Sequence, residues 1–350
     1  MLRKPVVLIT GAGGEIGHGL ITRLAASGRQ RIVTLDLTRL DPDIGKMVTR
    51  EFTGSILDTA LLERILAEFE IDLVFHLAAL LSTRSEFTPV MAHQVNVEGM
   101  LTLLEFAQKE GESHGRPVVF VYPSSIAAYG LPDAETRASA GRVHEDQHTT
   151  PTTMYGCNKL YCELLGTYYA RHYKQLSASP AASRVDFRAL RFPGLISAAT
   201  LPSGGTSDYA PEMLHAAARA EAYDCFVRPD TRIPFMAMPD AVEALLKVAA
   251  APRWELTRTA YNVGAFNPSA EEIRAKVLEA FPGAEIGFEV DTKRQGIVDS
   301  WPEDVDDAAA RADWGFAPAY GFERAFTEYL LPAIKARYEH ESAGTPNAER

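Results

Sequence analysis

The chain has 350 residues, 46% of them hydrophobic and 23% charged, enough apolar material for a large core and too much for a disordered or collagen-like chain. Its net charge of −11 argues against a nucleic-acid or anionic-membrane partner and for a small molecule. Its three cysteines, Cys157, Cys162 and Cys225, form neither an even set nor a Cys-x-x-Cys pair, so neither a disulfide framework nor a metal centre is expected, and a reducing cytoplasm is.

The N-terminal Met-Leu-Arg-Lys-Pro runs into an apolar stretch too short for a signal segment or a membrane span, and nothing further along reaches transmembrane length. Val6 to Thr10 is short, apolar and β-branched, and Gly11-Ala-Gly-Gly-Glu-Ile-Gly17 follows at once, then a helical pattern through Leu20, Leu24 and Ala25. Strand, glycine turn and helix together form the setting in which backbone amides cradle a pyrophosphate. Gly11, Gly14 and Gly17 are spaced G-x-x-G-x-x-G rather than G-x-G-x-x-G. A second strand, Ile32 to Asp36, ends about 20 residues on in the acid that bonds an adenosine ribose, so Asp36 favours NAD over NADP. Arg39, just past that strand, is the residue that could instead hold a 2′-phosphate.

Thr59 to Phe69 has the apolar spacing of a helix packed on a sheet. Leu73 to Ala79 reads as a buried parallel strand leaving into a small-residue turn where a cofactor backbone can pass, with His76 as a core histidine rather than a ligand. A helix over Met91 to Gln108 leads to the strand Val118 to Tyr122, which delivers Pro123-Ser-Ser-Ile-Ala-Ala-Tyr-Gly130 at a carboxyl end, where open α/β sheets bind ligands. Leu131 to Thr150 is polar and reads as a surface loop. Tyr155 to Lys174 is a long helix, Ser177 to Ser183 a linker, and Asp186 to Leu190 a further strand.

Tyr155 and Lys159 stand four residues apart, on one face of that helix. A nearby ammonium favours the phenolate and draws the tyrosine towards a working acid/base range. Alternating strands and helices predict an α/β protein with a Rossmann-type, doubly wound parallel sheet over residues 1–190. Residues 191–338 are read as a smaller C-terminal substrate lobe with segments returning to the first domain. Residues 339–350 read as a polar tail.

The glycine motif, Asp36, the His-Leu-Ala-Ala turn, the Pro-Ser-Ser-Ile-Ala-Ala-Tyr-Gly segment and Tyr155-Gly-Cys-Asn-Lys159 occur in an order and at separations that resemble the extended short-chain dehydrogenase/reductases. That group includes nucleotide-sugar epimerases and dehydratases. The resemblance implies a catalytic trio in which Ser125 bonds the reacting oxygen, Tyr155 is the acid/base, and Lys159 tunes the tyrosine and holds the nicotinamide ribose. Ser124 is the alternative serine, and Ser125 matches better. NAD would lie along Gly11, Gly14, Gly17, Asp36 and Ala78, with Arg191-Phe-Pro193-Gly194 beside the nicotinamide.

The second half is most similar to short-chain-type L-threonine 3-dehydrogenases, through Arg191 to Ser197, Gly204 to Ala210, Pro239-Asp-Ala-Val and Arg294 to Pro302. That likeness implies oxidation of the C3 hydroxyl of L-threonine to 2-amino-3-oxobutanoate, with Ser82 and Thr206 as substrate contacts. The chain departs from the pattern at Ser207, where the family usually has threonine, at Ser55, where it has an acid, and in the polar additions 131–150 and 177–183. Another small hydroxy acid, a nucleotide sugar undergoing epimerisation or dehydration, and a non-catalytic dinucleotide sensor are the competing readings. The sequence does not fix the oligomeric state, and a homodimer stays open.

Overall fold

The structure is a computed structural model describing residues 5–28, 31–177, 182–198, 200–202 and 204–343. Among these described residues thirteen strands occur in chain order: β1 (Pro5–Thr10), β2 (Ile32–Asp36), β3 (Arg50–Thr53), β4 (Glu70–His76), β5 (Val118–Ser125), β6 (Arg142–Val143), β7 (Val185–Phe192), β8 (Gly194–Ile196), β9 (Tyr223–Cys225), β10 (Phe235–Ala237), β11 (Ala260–Asn262), β12 (Ile286–Phe288) and β13 (Asp304–Val305). Seven of them form one parallel sheet in the order β3-β2-β1-β4-β5-β7-β11. The order reverses between β1 and β4, and a doubly wound sheet opens its ligand crevice at the carboxyl ends flanking such a reversal.

The inner strands β1 and β5 begin as near-continuous apolar runs because both faces of the sheet are covered there. Alternation along β1 sends Val6 and Leu8 into one core, beneath the helices Thr59–Glu68, Gly99–His114 and Met154–Arg171. Val7 and Ile9 enter the opposite core, with Leu20, Leu24 and the helix Met238–Ala250. A third cluster, built on Tyr209, Met213, Phe235 and Phe326, fills the C-terminal part. The fully buried β7 carries Arg188, which pairs with Asp186 at 2.7 Å and donates to the carbonyl of Ala251 at 2.7 Å. Paired in this way, a charged group can sit in a buried strand.

Three expectations change. The helix expected over 91–108 comes in pieces: Pro89–His93, a π-turn at Gln94–Glu98, then Gly99–His114. Within the π-turn, Asn96 accepts from Leu80 N–H at 2.8 Å, a side-chain contact that periodicity does not register. The Tyr155 helix runs from Met154 to Arg171 and stops short of Lys174, which adopts a positive φ of 49°.

Residues 131–150 are not a surface loop. They hold a helix, Ala134–Ala140, capped by Asp133 through Thr136 N–H at 2.7 Å, and strand β6, which pairs with β13. Leu131, Arg137, Val143 and Glu145 are buried. Two of these four are charged, so a count of apolar residues under-reads the segment. Of the 177–183 stretch, residues 178–181 lie outside the described residues, as do 344–350 of the expected tail; the backbone before them is helical through Ala343.

The Tyr155 helix rests on β7 through Gly166, where an added Cβ would lie 2.4 Å from a ring carbon of Phe187. Gly166→Ala therefore overpacks this contact and is expected to destabilise the protein by about 1–3 kcal/mol. The measurement is the midpoint of urea unfolding followed by circular dichroism, and an unchanged midpoint would contradict the packing argument.

Candidate active site

A cavity of about 470 Å³ lies at the carboxyl ends of the central strands, lined from one end by the glycine loop and Asp36 and from the other by Ser125, Tyr155, Lys159 and Trp301. Gly11 has a φ of +68°, and a Cβ there would lie 2.5 Å from the backbone nitrogen of Ala78. The loops after β1 and β4 thus meet backbone to backbone, which only glycine allows. At Gly17 a Cβ would lie 2.3 Å from the carbonyl oxygen of Ala12, so the first helix, Glu15–Ser27, also starts in close contact. Gly14 is its N-cap residue and supplies no side chain to occupy the helix's free amides. A bare helix N-terminus beside an open cavity suits a pyrophosphate.

Asp36, at the end of β2, accepts from Gly13 N–H at 2.9 Å and Thr38 N–H at 3.2 Å, and borders the cavity. Arg39 is exposed and does not line it. An acid at this place, rather than an arginine, suits ribose hydroxyls and would repel a 2′-phosphate. Ala78 and Pro193 both line the cavity. Glycine cradle, acid and open helix end together fit a dinucleotide.

Tyr155 and Lys159 emerge from the first turns of their helix, which Thr153 caps by accepting from Gly156 N–H at 3.0 Å. A Cβ on Gly156 would sit 2.0 Å from the Ala127 carbonyl, so this helix start presses against the turn that follows Ser125. That contact brings Ser125 and Tyr155 to one wall. Ser125 is half-buried, with its Oγ accepting from Ala127 N–H at 3.1 Å. Ser124 is buried, and its hydroxyl donates to Glu163, which is itself paired with Arg191 at 2.6 Å. Ser125 thus has the freer hydroxyl of the two.

The Lys159 ammonium is buried, donates to the Pro123 carbonyl at 2.6 Å, and lies 4.5 Å from the centroid of the Tyr122 ring and 5.3 Å from that of Tyr155. Burial pulls its pKa down to about 8, against an opposing pull from Cys162 and Glu163. Burial raises Tyr155 above the ordinary phenol range. The spacing of the two residues predicts the opposite for the tyrosine. Loss of hydration decides the direction, because the lysine is engaged with a carbonyl and with ring faces.

His76 is buried, shares a 2.8 Å hydrogen bond with Thr10 Oγ1, and stacks on Tyr122. Burial, with Lys159 adding to it, lowers its pKa to about 3, so it is a neutral core residue.

Ser82 and Thr206 meet although 124 positions apart: the Ser82 hydroxyl accepts from Thr206 N–H at 3.1 Å and from Thr206 Oγ1 at 3.0 Å. Both border the cavity. Asp208 braces this turn by accepting from Gly204 and Gly205 N–H at 2.9 and 2.6 Å. Three further cavity residues, Glu15, Asp208 and Trp301, are absent from the sequence-based site. Glu15 carried a signal, an acid inside a phosphate-type glycine loop; burial, then Asp208, raises its pKa to about 7. Trp301 carried none beyond its place in the Arg294 to Pro302 stretch.

Among the described residues, no group of three or more His, Cys, Asp or Glu side chains is placed to hold a metal ion. No helix there is long and apolar enough to cross a membrane.

The family model described as "NAD dependent epimerase/dehydratase family" matches residues 7–264. An uncharacterized epimerase/dehydratase of Staphylococcus haemolyticus is 34% identical over 340 residues, 96% of this chain and 99% of the relative. A solved partial-consensus L-threonine 3-dehydrogenase is 34% identical with a TM-score of 0.84, covering 95% of this chain and 100% of its own. The L-threonine dehydrogenase of Clostridium difficile is 31% identical with a TM-score of 0.83, covering 97% and 99%.

The buried Lys159 has a consequence for stability. Its folded pKa of about 8 lies below the ordinary 10.5. The burial cost of the charged lysine is therefore fully present below pH 8 and lifts as pH rises towards 10.5, where the unfolded chain still binds the proton and the folded one does not. Relative to Lys159→Met, which cannot titrate, the wild type should gain stability between pH 7 and about 9.5. Urea midpoints of the two proteins at both pH values test this, and a gap that moves the other way contradicts the assignment.

Proposed function

Because the chain belongs to the NAD-dependent epimerase/dehydratase family and takes NAD as its cofactor, we propose that this NAD-dependent oxidoreductase oxidises the C3 hydroxyl of L-threonine to 2-amino-3-oxobutanoate. The observation that carries the reading is the Ser82–Thr206 hydroxyl pair, set in one cavity with Ser125 and Tyr155. Paired small hydroxyls can bond the carboxylate or alcohol of a compact zwitterion. Similarity to L-threonine dehydrogenases across nearly the whole chain supports the same substrate.

In this reading Gly11, Gly14, Gly17, Asp36, Ala78 and Pro193 hold NAD, which when bound supplies the hydride acceptor. Ser125 donates a hydrogen bond to the reacting C3 oxygen. Tyr155 takes the hydroxyl proton as the C3 carbonyl forms, and Lys159 would hold the tyrosine and the nicotinamide ribose. Holding the C3 hydrogen in line is worth several kcal/mol of barrier. With burial alone raising Tyr155, its deprotonation depends on positive charge close by, which makes the fixed ammonium part of the machinery.

A homodimer is the proposed assembly. Phe87, Val90 and Leu164 are 80%, 73% and 62% exposed on helices that pack against one another, and Met91 and Tyr161 on the same helices are also exposed. The proposed compartment is the cytoplasm, consistent with the free thiols Cys157, Cys162 and Cys225.

The deciding experiment is NAD+ reduction across L-threonine, other hydroxy amino acids, small hydroxy acids and UDP-sugars. L-Threonine should give the highest kcat/KM, and a UDP-sugar or sugar acid turned over far faster would overturn the substrate. Tyr155→Phe keeps the ring and removes the proton acceptor, so kcat should fall by about 10² or more while the NAD dissociation constant stays within about twofold. Asp36→Ala should weaken NAD binding and narrow its advantage over NADP by about tenfold or more, measured by fluorescence titration of the reduced cofactors.

A further inference from the structure

The segment 131–150 has no part in the chemistry above, yet it touches two walls of the cavity. On one side the guanidinium of Arg191 donates to the Glu145 carbonyl at 2.7 Å, and Arg191 leads directly into Phe192 and Pro193. On the other, Leu131 N–H donates to the Ser300 carbonyl at 2.8 Å and Arg137 Nε donates to the Trp301 carbonyl at 2.8 Å. Ser300 also receives the Thr152 hydroxyl at 3.1 Å, three residues before Tyr155. Trp301 therefore lines the end of the cavity where Tyr155 lies.

Arg137 is unusual for its burial, with a side chain only 7% exposed. Its acids are weakly committed: Glu303 is 40% exposed at 3.3 Å, and Asp299, 3.8 Å away, is already held by Arg228 at 2.8 Å. The remaining contact is again a backbone carbonyl, that of Arg232. A buried guanidinium is a poor way to add stability, since well-packed apolar residues do as well or better. Its planar fork is a good way to fix several carbonyls at once.

We propose that Arg137 is a positioning residue that holds Trp301 as the wall of the substrate pocket, so that the 131–150 segment sets the fit of a compact substrate. This rests on the reading that the Tyr155 end of the cavity takes the substrate. Arg137→Lys keeps the charge but cannot span the Trp301 and Arg232 carbonyls together, and Arg137→Met keeps the stem and removes the head.

The test combines steady-state kinetics with fluorine NMR of protein labelled with 5-fluorotryptophan, whose three signals, Trp254, Trp301 and Trp314, are assigned by single Trp→Phe variants. Arg137→Lys should raise KM for L-threonine about tenfold, with kcat within about threefold and NAD affinity unchanged. The Trp301 signal should shift or broaden while Trp254 and Trp314 stay in place. An unmoved Trp301 signal, an unchanged KM, or equal losses in kcat, KM and NAD affinity overturns the proposal. If Arg137→Met fails to fold, the lysine variant decides. If the wild type leaves L-threonine untouched, the substrate reading fails, and the fluorine spectrum still scores the Arg137–Trp301 link by itself.

Discussion

The buried pair of Glu163 and Arg191 ties the structure together. Arg191 Nη2 and Nε lie 2.6 and 2.9 Å from the carboxylate oxygens of Glu163, and both side chains are about 4% exposed. Burial works against the guanidinium, yet Glu163 together with Tyr129 outweighs it and holds its pKa above the ordinary value. Removing one partner of such a pair costs roughly 3–5 kcal/mol, because the other charge is left in a dry site. The pair joins the Tyr155 helix to β7. Through Ser124 it reaches β5, and through the Glu145 carbonyl and the Asn262 N–H bonded at 3.1 Å to Glu145 Oε1 it reaches residues 131–150 and β11. Five segments, the Tyr155 helix, β7, β5, residues 131–150 and β11, are thus referred to one salt bridge.

That arrangement explains why the reactive side chains can stay little hydrated. Glu163 lies one helical turn beyond Lys159, and its negative charge supports an ammonium whose other contacts are a carbonyl and two ring faces. Perturbed groups of this kind, desolvated and lining a cleft, mark places where a fold spends stability on chemistry. Glu15 shows the same behaviour at the cofactor end, where burial and Asp208 raise its carboxyl into the neutral range.

The two ends of the cavity are built differently. The glycine-loop end is backbone: Gly11 against Ala78, Gly17 against Ala12, and an open helix N-terminus, with the Asp36 carboxylate accepting from Gly13 N–H. The Tyr155 end is made of side chains from distant segments. Ser82 follows β4, Thr206 follows β8, and Trp301 comes from the C-terminal part, pinned by a residue of 131–150. A backbone cradle beside a wall of side chains lets one fold serve other substrates by exchange of those side chains alone.

The sequence by itself determined what depends on short-range pattern. The β-branched run before Gly11, the glycine spacing, the acid closing β2 and the four-residue interval from Tyr155 to Lys159 each specify local geometry, and with it the parallel sheet and the cofactor end. Only the tertiary structure decided the rest. Both serines border the cavity, and that the Ser124 hydroxyl is committed while the Ser125 hydroxyl is left to donate follows from the reach of Glu163, 39 positions away from Ser124. The direction of the Tyr155 and Lys159 shifts follows from water excluded by neighbours that no spacing reveals. The packing of 131–150 was hidden because Arg137 bonds a carbonyl 164 positions on. A buried charge is matched by partners brought near only when the chain has folded, so its polarity in sequence reads as surface and its place in the fold as core.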